Sequence, residues 1–284
     1  MPEWIIRILT SPEDMAAAEV LQRQVWGGAE NDAIPAHMLL AVVHNGGLAL
    51  GAFVGAELVG LAFGFPALVR SADGTMVMKH HSHILGIRPD WQEKGIGFAL
   101  KRAQWQLVRK QSLERITWTY DPLLSRNSHL NIARLGAVCN TYLRAEYGEM
   151  RDGLNAGLPS DRFQVDWWLN TSRVERRLGH RARPAPSLGH YRAAGADLLE
   201  ASFASDGTPR PPAGVASLEG SLLLVEIPSD FMALKGADLA LARDWRFYTR
   251  EVFEDSFARG FIVTDFIHAR GRSYHLLTHG EATF

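Results

Sequence analysis

The stretch HILGIRPDWQEKGIGFALKRAQW, from His83 to Trp105, joins a strand-like pattern to a helix-like pattern through a short segment with two glycines, which we call the corner. Its apolar start ends at a proline, and Gly95 and Gly97 follow one residue apart. After Gly95, apolar residues recur at helical spacing: Ile96, Leu100, Ala103 and Leu107. The pattern predicts a strand, a tight loop and an amphipathic helix, in this order.

This predicted corner is suited to bind an anion. The first N–H groups of a helix have no partner within the helix, and that end carries partial positive charge. A glycine lets an anion come within hydrogen-bonding distance of the backbone, because it has no Cβ. Arg88, Lys94, Lys101 and Arg102 add positive charge in the same stretch. A phosphate or pyrophosphate group fits such a site best.

The composition and charge of the chain limit the kinds of partner that we expect it to bind. The chain has 284 residues, 46% of them hydrophobic and 21% charged, and a net charge of −1, so we expect no nucleic-acid partner. No apolar run reaches about 18 residues, so no membrane span is expected. The N-terminal MPEWIIRILTSPED lacks the pattern of a signal peptide, and the single cysteine, Cys139, excludes an intrachain disulfide. We therefore expect a cytoplasmic protein.

The order of predicted elements indicates the fold class. Residues 3–170 give β-α-α-β-β-β-α-β-α-β-β, which one mixed sheet with helices on its faces would bury. Residues 173–189 are basic and contain proline, and a second α/β segment follows. We predict an α/β (α+β) protein with a first domain at 1–172, a linker at 173–189 and a smaller C-terminal segment at 190–284.

The basic segment contains five arginines: Arg173, Arg176, Arg177, Arg181 and Arg183. We interpret it as a solvated helix of the linker. The alternative is a contact with an acidic substrate or with a phosphate group of the ligand.

Short sequence motifs distinguish which phosphate-containing ligand such a corner binds. The Walker pattern is missing, because no Gly-Lys-Ser/Thr follows the glycines, and the dinucleotide pattern lacks its third glycine. Residues 92–97, QEKGIG, match Gln-x-x-Gly-x-Gly instead. With a strand before this motif and a helix after it, the chain resembles the GNAT superfamily (GCN5-related N-acetyltransferase-like proteins), in a two-part bacterial form with a C-terminal α/β extension. The resemblance implies the GNAT-like mixed central sheet.

The resemblance also implies where coenzyme A binds. The backbone at the end of the predicted strand would pair with the pantetheine arm: Leu85, Gly86 and Ile87. The pyrophosphate would be held by the amides of the loop: Gln92, Glu93, Lys94, Gly95, Ile96, Gly97 and Phe98. Asn127 or Asn131 would bond to the pantetheine, and no metal is expected.

One position departs from the family pattern. If Gly136 takes the place of the family's late glycine, Ile132 stands where a tyrosine usually reprotonates the thiolate of coenzyme A. Tyr142 and Tyr147 follow shortly after it. These two tyrosines are the candidates to replace that acid.

Three histidines directly before the loop are candidates for the general base. In a strand, His81 and His83 share one face and His80 takes the other. His83 is the first candidate and His81 the second; the alternative for each is a structural histidine. Asp121 is a further candidate, and its alternative is a turn carboxylate before Pro122. A zinc ion shared by the two histidines would need ligands that the neighbouring sequence does not offer.

These features predict an acyl-CoA-dependent N-acyltransferase. By the resemblance, acetyl-CoA would donate its acetyl group to a primary amine of a small molecule or amino acid, which attacks the thioester directly. The alternative, favoured by Ile132, is a GNAT-fold module that binds coenzyme A as a sensor or assembly module without catalysis. A homodimer is compatible with either function.

Overall fold

The computed structural model describes residues 3–27, 33–71, 73–148, 156–179, 186–212 and 220–279. The chain forms two compact units, Met1–Trp118 and Thr119–Phe284. The division into a first domain at 1–172, a linker at 173–189 and a C-terminal segment at 190–284 stays a prediction. Residues 180–185 of the predicted linker, with Arg181 and Arg183, lie outside the described residues.

The first unit follows the predicted order of elements. They are β1 (Ile5–Ile8), α1 (Pro12–Trp26), α2 (Ala36–His44), β2 (Leu48–Val54), β3 (Glu57–Arg70), β4 (Met76–Ile87), α3 (Ile96–Lys110) and β5 (Arg115–Tyr120). Ser11 caps α1 through a capping box with Asp14, and Pro12 occupies the first turn. β5 ends two residues beyond the limit of the unit.

The strands of the first unit form a mixed sheet in the order β1-β2-β3-β4-β5. β1 to β4 are antiparallel neighbours, whereas β5 runs parallel to β4. Leu61 and Phe63 of β3 pack in one core with α1 and α2. Gly60 points to the other face, where it lies close to Leu100 of α3. The two helix layers therefore cover opposite faces, and the predicted α/β fold is confirmed.

β4 contains a bulge at His83. The neighbouring residues Phe63 and Gly64 of β3 pair with Ile84 and Ser82, so His83 is an extra residue in its strand. An extra residue reverses the alternation of side chains, because that alternation has a period of two. Even-numbered residues of β4 before the bulge and odd-numbered ones after it therefore face α3.

A polar network is buried between β4 and α3. Lys101 Nζ donates to Ser82 Oγ at 3.0 Å and to Gln104 Oε1 at 2.9 Å, and it lies 3.6 Å from the centroid of the Trp118 ring. Gln104 Nε2 lies 3.2 Å from His80 Nε2. Burial lowers the pKa of Lys101 well below its ordinary value. Lys101 thus belongs to the interior and not, as the sequence suggested, to the charged surroundings of the loop.

The second unit contains short helices, one long helix and eight strands in its described residues. The helices are α4 (Ser125–Ser128), a π-helical turn (His129–Arg134), α5 (Ser172–Leu178), α6 (Leu188–Ala193), α7 (Phe231–Ala237) and α8 (Leu239–Ala258). The strands are β6 (Val138–Leu143), β7 (Arg162–Trp168), β8 (Asp197–Leu199), β9 (Ser202–Phe203), β10 (Pro209–Arg210), β11 (Leu222–Ile227), β12 (Phe261–Ala269) and β13 (Arg272–His279).

Two antiparallel hairpins form the centre of the second unit. Its strand order is β7-β6-β12-β13-β11-β8, and β9 and β10 pair separately. The hairpins β6–β7 and β12–β13 meet through the pair Cys139–Val263. β8 is parallel to β11 at the far edge.

The basic segment after residue 172 is partly buried. Arg173 Nε donates to the backbone oxygen of Gly136 at 2.9 Å. Arg177 donates to the backbone oxygen of Ala133 at 2.6 Å and to Asp265 Oδ2 at 2.7 Å. The prediction of a solvated helix is therefore wrong for these two arginines, since α5 uses them to bind carbonyl groups at the end of the π-helical turn.

The Gly64→Ala substitution should destabilise the first unit. An added Cβ would overlap with His80 Nε2 and lie 2.5 Å from the backbone oxygen of His81. We expect the free energy of unfolding to fall by about 1–3 kcal/mol, because the strand or the imidazole must shift. Urea denaturation measures it. Gly236→Ala in α7 is the control, because nothing lies within 4 Å of its added Cβ; equal losses in both variants would contradict the steric explanation.

Candidate functional site

The corner between β4 and α3 is short and well defined. β4 ends at Ile87, one 3-10 turn covers Pro89–Trp91, and α3 begins at Ile96. Gly95 precedes the helix with φ of 81°, a left-handed conformation that favours glycine. Gln92 ties the loop to the strand, because its Nε2 donates to the backbone oxygen of Ile87 at 3.1 Å.

α3 presents its first amides at this corner. Ala99 N donates to Gly95 O at 3.1 Å, so the N–H groups of Ile96 and Gly97 precede the helical ladder. The positive end of a 15-residue helix is concentrated at the same point. A Cβ on Gly95 would have nothing within 4 Å. The backbone at this corner is therefore open to an anion.

Charged side chains contribute less positive charge to this corner than the sequence suggests. Arg88 is held by two carboxylates, because its Nε donates to Asp90 Oδ1 at 2.7 Å and its Nη1 donates to Glu57. Lys94 Nζ donates to the backbone oxygen of Asp90 at 2.7 Å and lies 4.1 Å from the centroid of the Trp91 ring. The helix amides and Lys94 at the rim are thus the main positive groups of the corner.

The edge of β4 just before the corner carries outward amides. Arg88 N donates to Val59 O at 3.0 Å, towards β3. Because hydrogen-bonding directions alternate along an antiparallel strand, the N–H groups of Leu85 and Ile87 point away from β3. On that side, the ladder with β5 ends at the pair His81–Thr117. A strand-like ligand segment can therefore pair with β4 at Leu85 and Ile87.

His81 and His83 lie together beside an aromatic ring. Their ring centroids are 5.8 Å apart, and Phe65 lies 5.3 Å from His81 and 6.1 Å from His83. Burial lowers the pKa of His81 to about 4, with smaller effects from the charges of His83 and Lys79. Burial also lowers the pKa of His83, the more exposed of the two. Both imidazoles are neutral at pH 7 and can accept a proton.

Trp26 was missed by the sequence interpretation. A Cβ on Gly86 would lie 2.5 Å from Cη2 of the Trp26 indole, so the ring directly contacts the strand backbone. Trp26 is nevertheless 39% exposed. A glycine inside a predicted strand is the signal that could have indicated this close approach.

Asp121 and Tyr142 belong to buried ionic contacts of the second unit. Asp121 accepts hydrogen bonds from Arg246 Nη2 and, at 2.9 Å, from Leu123 N. Tyr142 donates to Asp161 Oδ2 at 2.8 Å, and burial raises the pKa of its hydroxyl. These contacts favour structural roles for both side chains, and their catalytic roles stay predictions.

The candidates around the π-helical turn differ in exposure. Asn127 is exposed, whereas Asn131 is buried and its backbone oxygen accepts a hydrogen bond from Ala137 N at 3.1 Å. Ile132 is fully buried and belongs to the core. Cys139 is also buried, and burial raises the pKa of its thiol, which makes it a poor nucleophile.

Two features of the described ranges concern metal ligands and membrane-spanning helices. Within them, no group of three or more His, Cys, Asp or Glu side chains is placed to hold a metal ion. In the same part of the chain, no helix combines the length and apolar character needed to cross a membrane. The groups available around β4 are backbone amides, two neutral imidazoles and aromatic rings.

Several solved acetyltransferase structures are similar to this chain. The acetyltransferase of the GNAT family from Streptococcus pneumoniae is 14% identical over 58% of this chain and 98% of its own, with a TM-score of 0.45. NAA60 from Arabidopsis thaliana, in complex with acetyl-CoA, is 13% identical over 58% and 99%, with a TM-score of 0.46. The aminoglycoside 6′-acetyltransferase type Ii is 16% identical over 59% and 98%, with a TM-score of 0.46. No protein-family model and no curated protein matches the sequence.

Buried histidines should make the fold sensitive to mild acid. Burial lowers the pKa of His80 to about 3 and that of His275 to about 4, whereas the ordinary value is 6.5. The unfolded chain therefore binds more protons below pH 6.5. The stability that these histidines contribute should be fully present above that pH and be lost as the pH falls towards 4.

The His80→Gln substitution tests this dependence. It should reduce the slope of the free energy of unfolding by up to about 1.4 kcal/mol per pH unit in mildly acidic buffer. Urea denaturation at a series of pH values measures the slope. The free energy of unfolding of the same variant at pH 7.5 gives the part of the destabilisation that does not depend on protonation. A slope equal to that of the wild type would show that His80 does not resist protonation.

Proposed function

We propose that the chain is an acyl-CoA-dependent N-acyltransferase, and specifically an acetyltransferase that acts on a primary amine. The observation that carries the proposal is the corner at Gly95 and Gly97. It joins the open N-terminus of α3 directly to an edge of β4 with outward amides. A ligand with a pyrophosphate followed by an extended, amide-containing arm requires both of these features.

The residues of the corner fit acetyl-CoA along its length. The pyrophosphate needs donors without bulky side chains, and the amides of Ile96 and Gly97 beside the open Gly95 offer them. Lys94 at the rim would add one positive charge. The pantetheine arm would pair with Leu85 and Ile87, as an added strand does.

When bound, acetyl-CoA supplies a thioester that a neutral amine attacks directly, and the bond to sulfur breaks as the amide forms. Leu85 N–H would donate to the carbonyl oxygen as negative charge develops on it, a contribution of about 3 kcal/mol. His83 would take the proton that the attacking amine loses, a contribution of roughly 10²–10⁴-fold in rate. Its lowered pKa keeps it ready to do so at neutral pH.

The missing tyrosine at Ile132 is compatible with this scheme. A thiol has a pKa of about 8.5, so a thiolate departs readily and can take its proton from water. The second candidate function, a coenzyme A-binding module without catalysis, is favoured by the full burial of Ile132. Both functions use the same corner, and turnover distinguishes them.

A small amine or amino acid in the cytoplasm is the proposed acceptor. The support is the surface on which His81 and His83 of β4 lie beside Phe65 of β3. Its imidazoles are neutral at pH 7. Such a surface can take up an amine without adding positive charge that would repel its ammonium form.

The Gly97→Glu substitution should weaken coenzyme A binding. It places a carboxylate among the first amides of α3, where it would repel the pyrophosphate, and we expect the Kd to rise roughly 10- to 100-fold. Isothermal titration calorimetry measures the Kd. Gly236→Glu, at an exposed and open position in α7, is the matched control and should bind as the wild type does. Normal binding by Gly97→Glu would remove the basis of the assignment.

The His83→Gln substitution tests the base. With acetyl-CoA and a panel of primary amines, release of free thiol should fall by roughly 10²–10⁴-fold in kcat, while the Kd for coenzyme A stays unchanged. His44→Gln in α2, which is exposed, is the control. A loss confined to His81→Gln would transfer the role to His81. Coenzyme A binding by the wild type without thiol release on any amine would support the binding module.

A further inference from the structure

The buried polar network between β4 and α3, which we call the Lys101 network, has a role besides the packing of the helix. It consists of His80, Ser82, Lys101 and Gln104, which are at most 5% exposed. Polar side chains in an interior are less favourable than apolar ones unless hydrogen bonds satisfy them. Four such residues at one place therefore indicate that their directional bonds, and not burial alone, are what this part of the fold needs.

The hydrogen bonds of the network depend on one another. Lys101 Nζ donates to Ser82 Oγ at 3.0 Å and to Gln104 Oε1 at 2.9 Å. Ser82 Oγ donates to the same Gln104 oxygen at 3.1 Å. The amide nitrogen of Gln104 can only donate, so His80 Nε2, 3.2 Å away, is its acceptor. The bonds reinforce one another, and together they fit one placement of the Ser82 hydroxyl.

The network lies directly beside the bulge of β4. Ser82 pairs with Gly64 of β3, and His83 is the extra residue that follows it. The His80 ring lies over the same glycine, because a Cβ added to Gly64 would overlap with His80 Nε2. The network therefore holds β4 from the α3 face at the point where its pairing with β3 is irregular.

The position of the bulge decides which way His83 points. If Ser82 were the extra residue, His83 would pair with Gly64 and its side chain would face α3, because side chains alternate along a strand. In the observed register, the His83 ring lies beside Phe65 and His81, with centroid distances of 6.1 Å and 5.8 Å. An apolar side chain at position 82 would tolerate either register, whereas the hydrogen bonds of Ser82 require the observed one.

We propose that the Lys101 network selects the register of the bulge, so that Ser82 and Lys101 are positioning residues for His83. They act from the face of β4 opposite to the His83 imidazole. The importance of this placement for catalysis rests on the proposed function, in which His83 takes a proton from the attacking amine. The placement itself does not depend on turnover and can be tested without it.

Titration of the histidine resonances tests the placement in the full chain without any substrate. Ser82→Ala removes the hydroxyl, and the pKa of His83 should then shift by about 0.5 unit or more, because the surroundings of its imidazole change. Proton–carbon NMR spectra at a series of pH values measure the shift, and His83→Gln assigns the resonance. The nuclear Overhauser effect between the rings of Phe65 and His83 should weaken in Ser82→Ala.

Val108→Ala is the matched control. Val108 lies in α3 and is fully buried, but it is not part of the network. Its truncation should destabilise the packing of the helix and leave the pKa of His83 unchanged. Equal shifts in both variants would show that any loosening of α3 displaces His83, and an unchanged pKa in Ser82→Ala would show that the network is purely structural. Either result overturns the proposal.

Lys101→Met is the second variant, and it covers the case in which Ser82→Ala does not fold. Methionine keeps most of the length of the side chain but removes the donor of Ser82 and Gln104. Burial alone lowers the pKa of His83, so a shift in this variant reports a change of position and not the loss of a charge. If the pKa of His83 is the same in Lys101→Met as in the wild type, the proposal is wrong.

Turnover measures the consequence for the proposed reaction. With acetyl-CoA and a primary amine, the kcat of Ser82→Ala should fall about tenfold or more, because a displaced base takes the proton less efficiently. The Kd for coenzyme A should stay unchanged, since the corner is not altered. An unchanged kcat, or an equal fall in Val108→Ala, would contradict the role in catalysis. If the wild type releases no thiol with any amine, the proposed function fails, and the titration still decides whether the network places His83.

Discussion

The candidate site depends on the separation of β4 from β5 beyond the pair His81–Thr117, next to the bulge at His83. The ladder between β4 and β5 ends at His81–Thr117, and the extra residue follows two positions later. In a fully paired parallel sheet, the amides of Leu85 and Ile87 would be used by the neighbouring strand. Here the β4–β5 ladder ends before the bulge, so these amides remain at an edge that leads towards Gly95 and leaves a place for an extended ligand.

The positive potential of the corner comes mainly from the backbone. Arg88 is held by Asp90 and Glu57, and Lys101 is directed into the interior. The amides of Ile96 and Gly97 keep a fixed direction, because the helix behind them is packed on the sheet through Ile96 and Leu100. Fixed dipoles do not need to reorganise when an anion arrives, which flexible lysine side chains must do.

The parts of the structure that depend on local patterns could be predicted from the sequence. The strand, loop and helix around Gly95 follow from spacing and glycine placement, and so does the order of elements in the first unit. The bulge could not be predicted, because register is set by pairing with β3 and not by β4 itself. The ion pair of Asp121 with Arg246 joins residues 125 positions apart, for which no local pattern exists. The contact of Trp26 with Gly86 is similarly non-local.

The hydrogen bond from Gln92 to the end of β4 has a consequence for affinity. It fixes the shape of the loop through contacts within the chain, so the conformational entropy of the loop is already lost during folding. Association then has less disorder to remove, and the same set of contacts gives a lower dissociation constant. A glutamine side chain that bonds within the chain can in this way strengthen the binding of an anion at the corner.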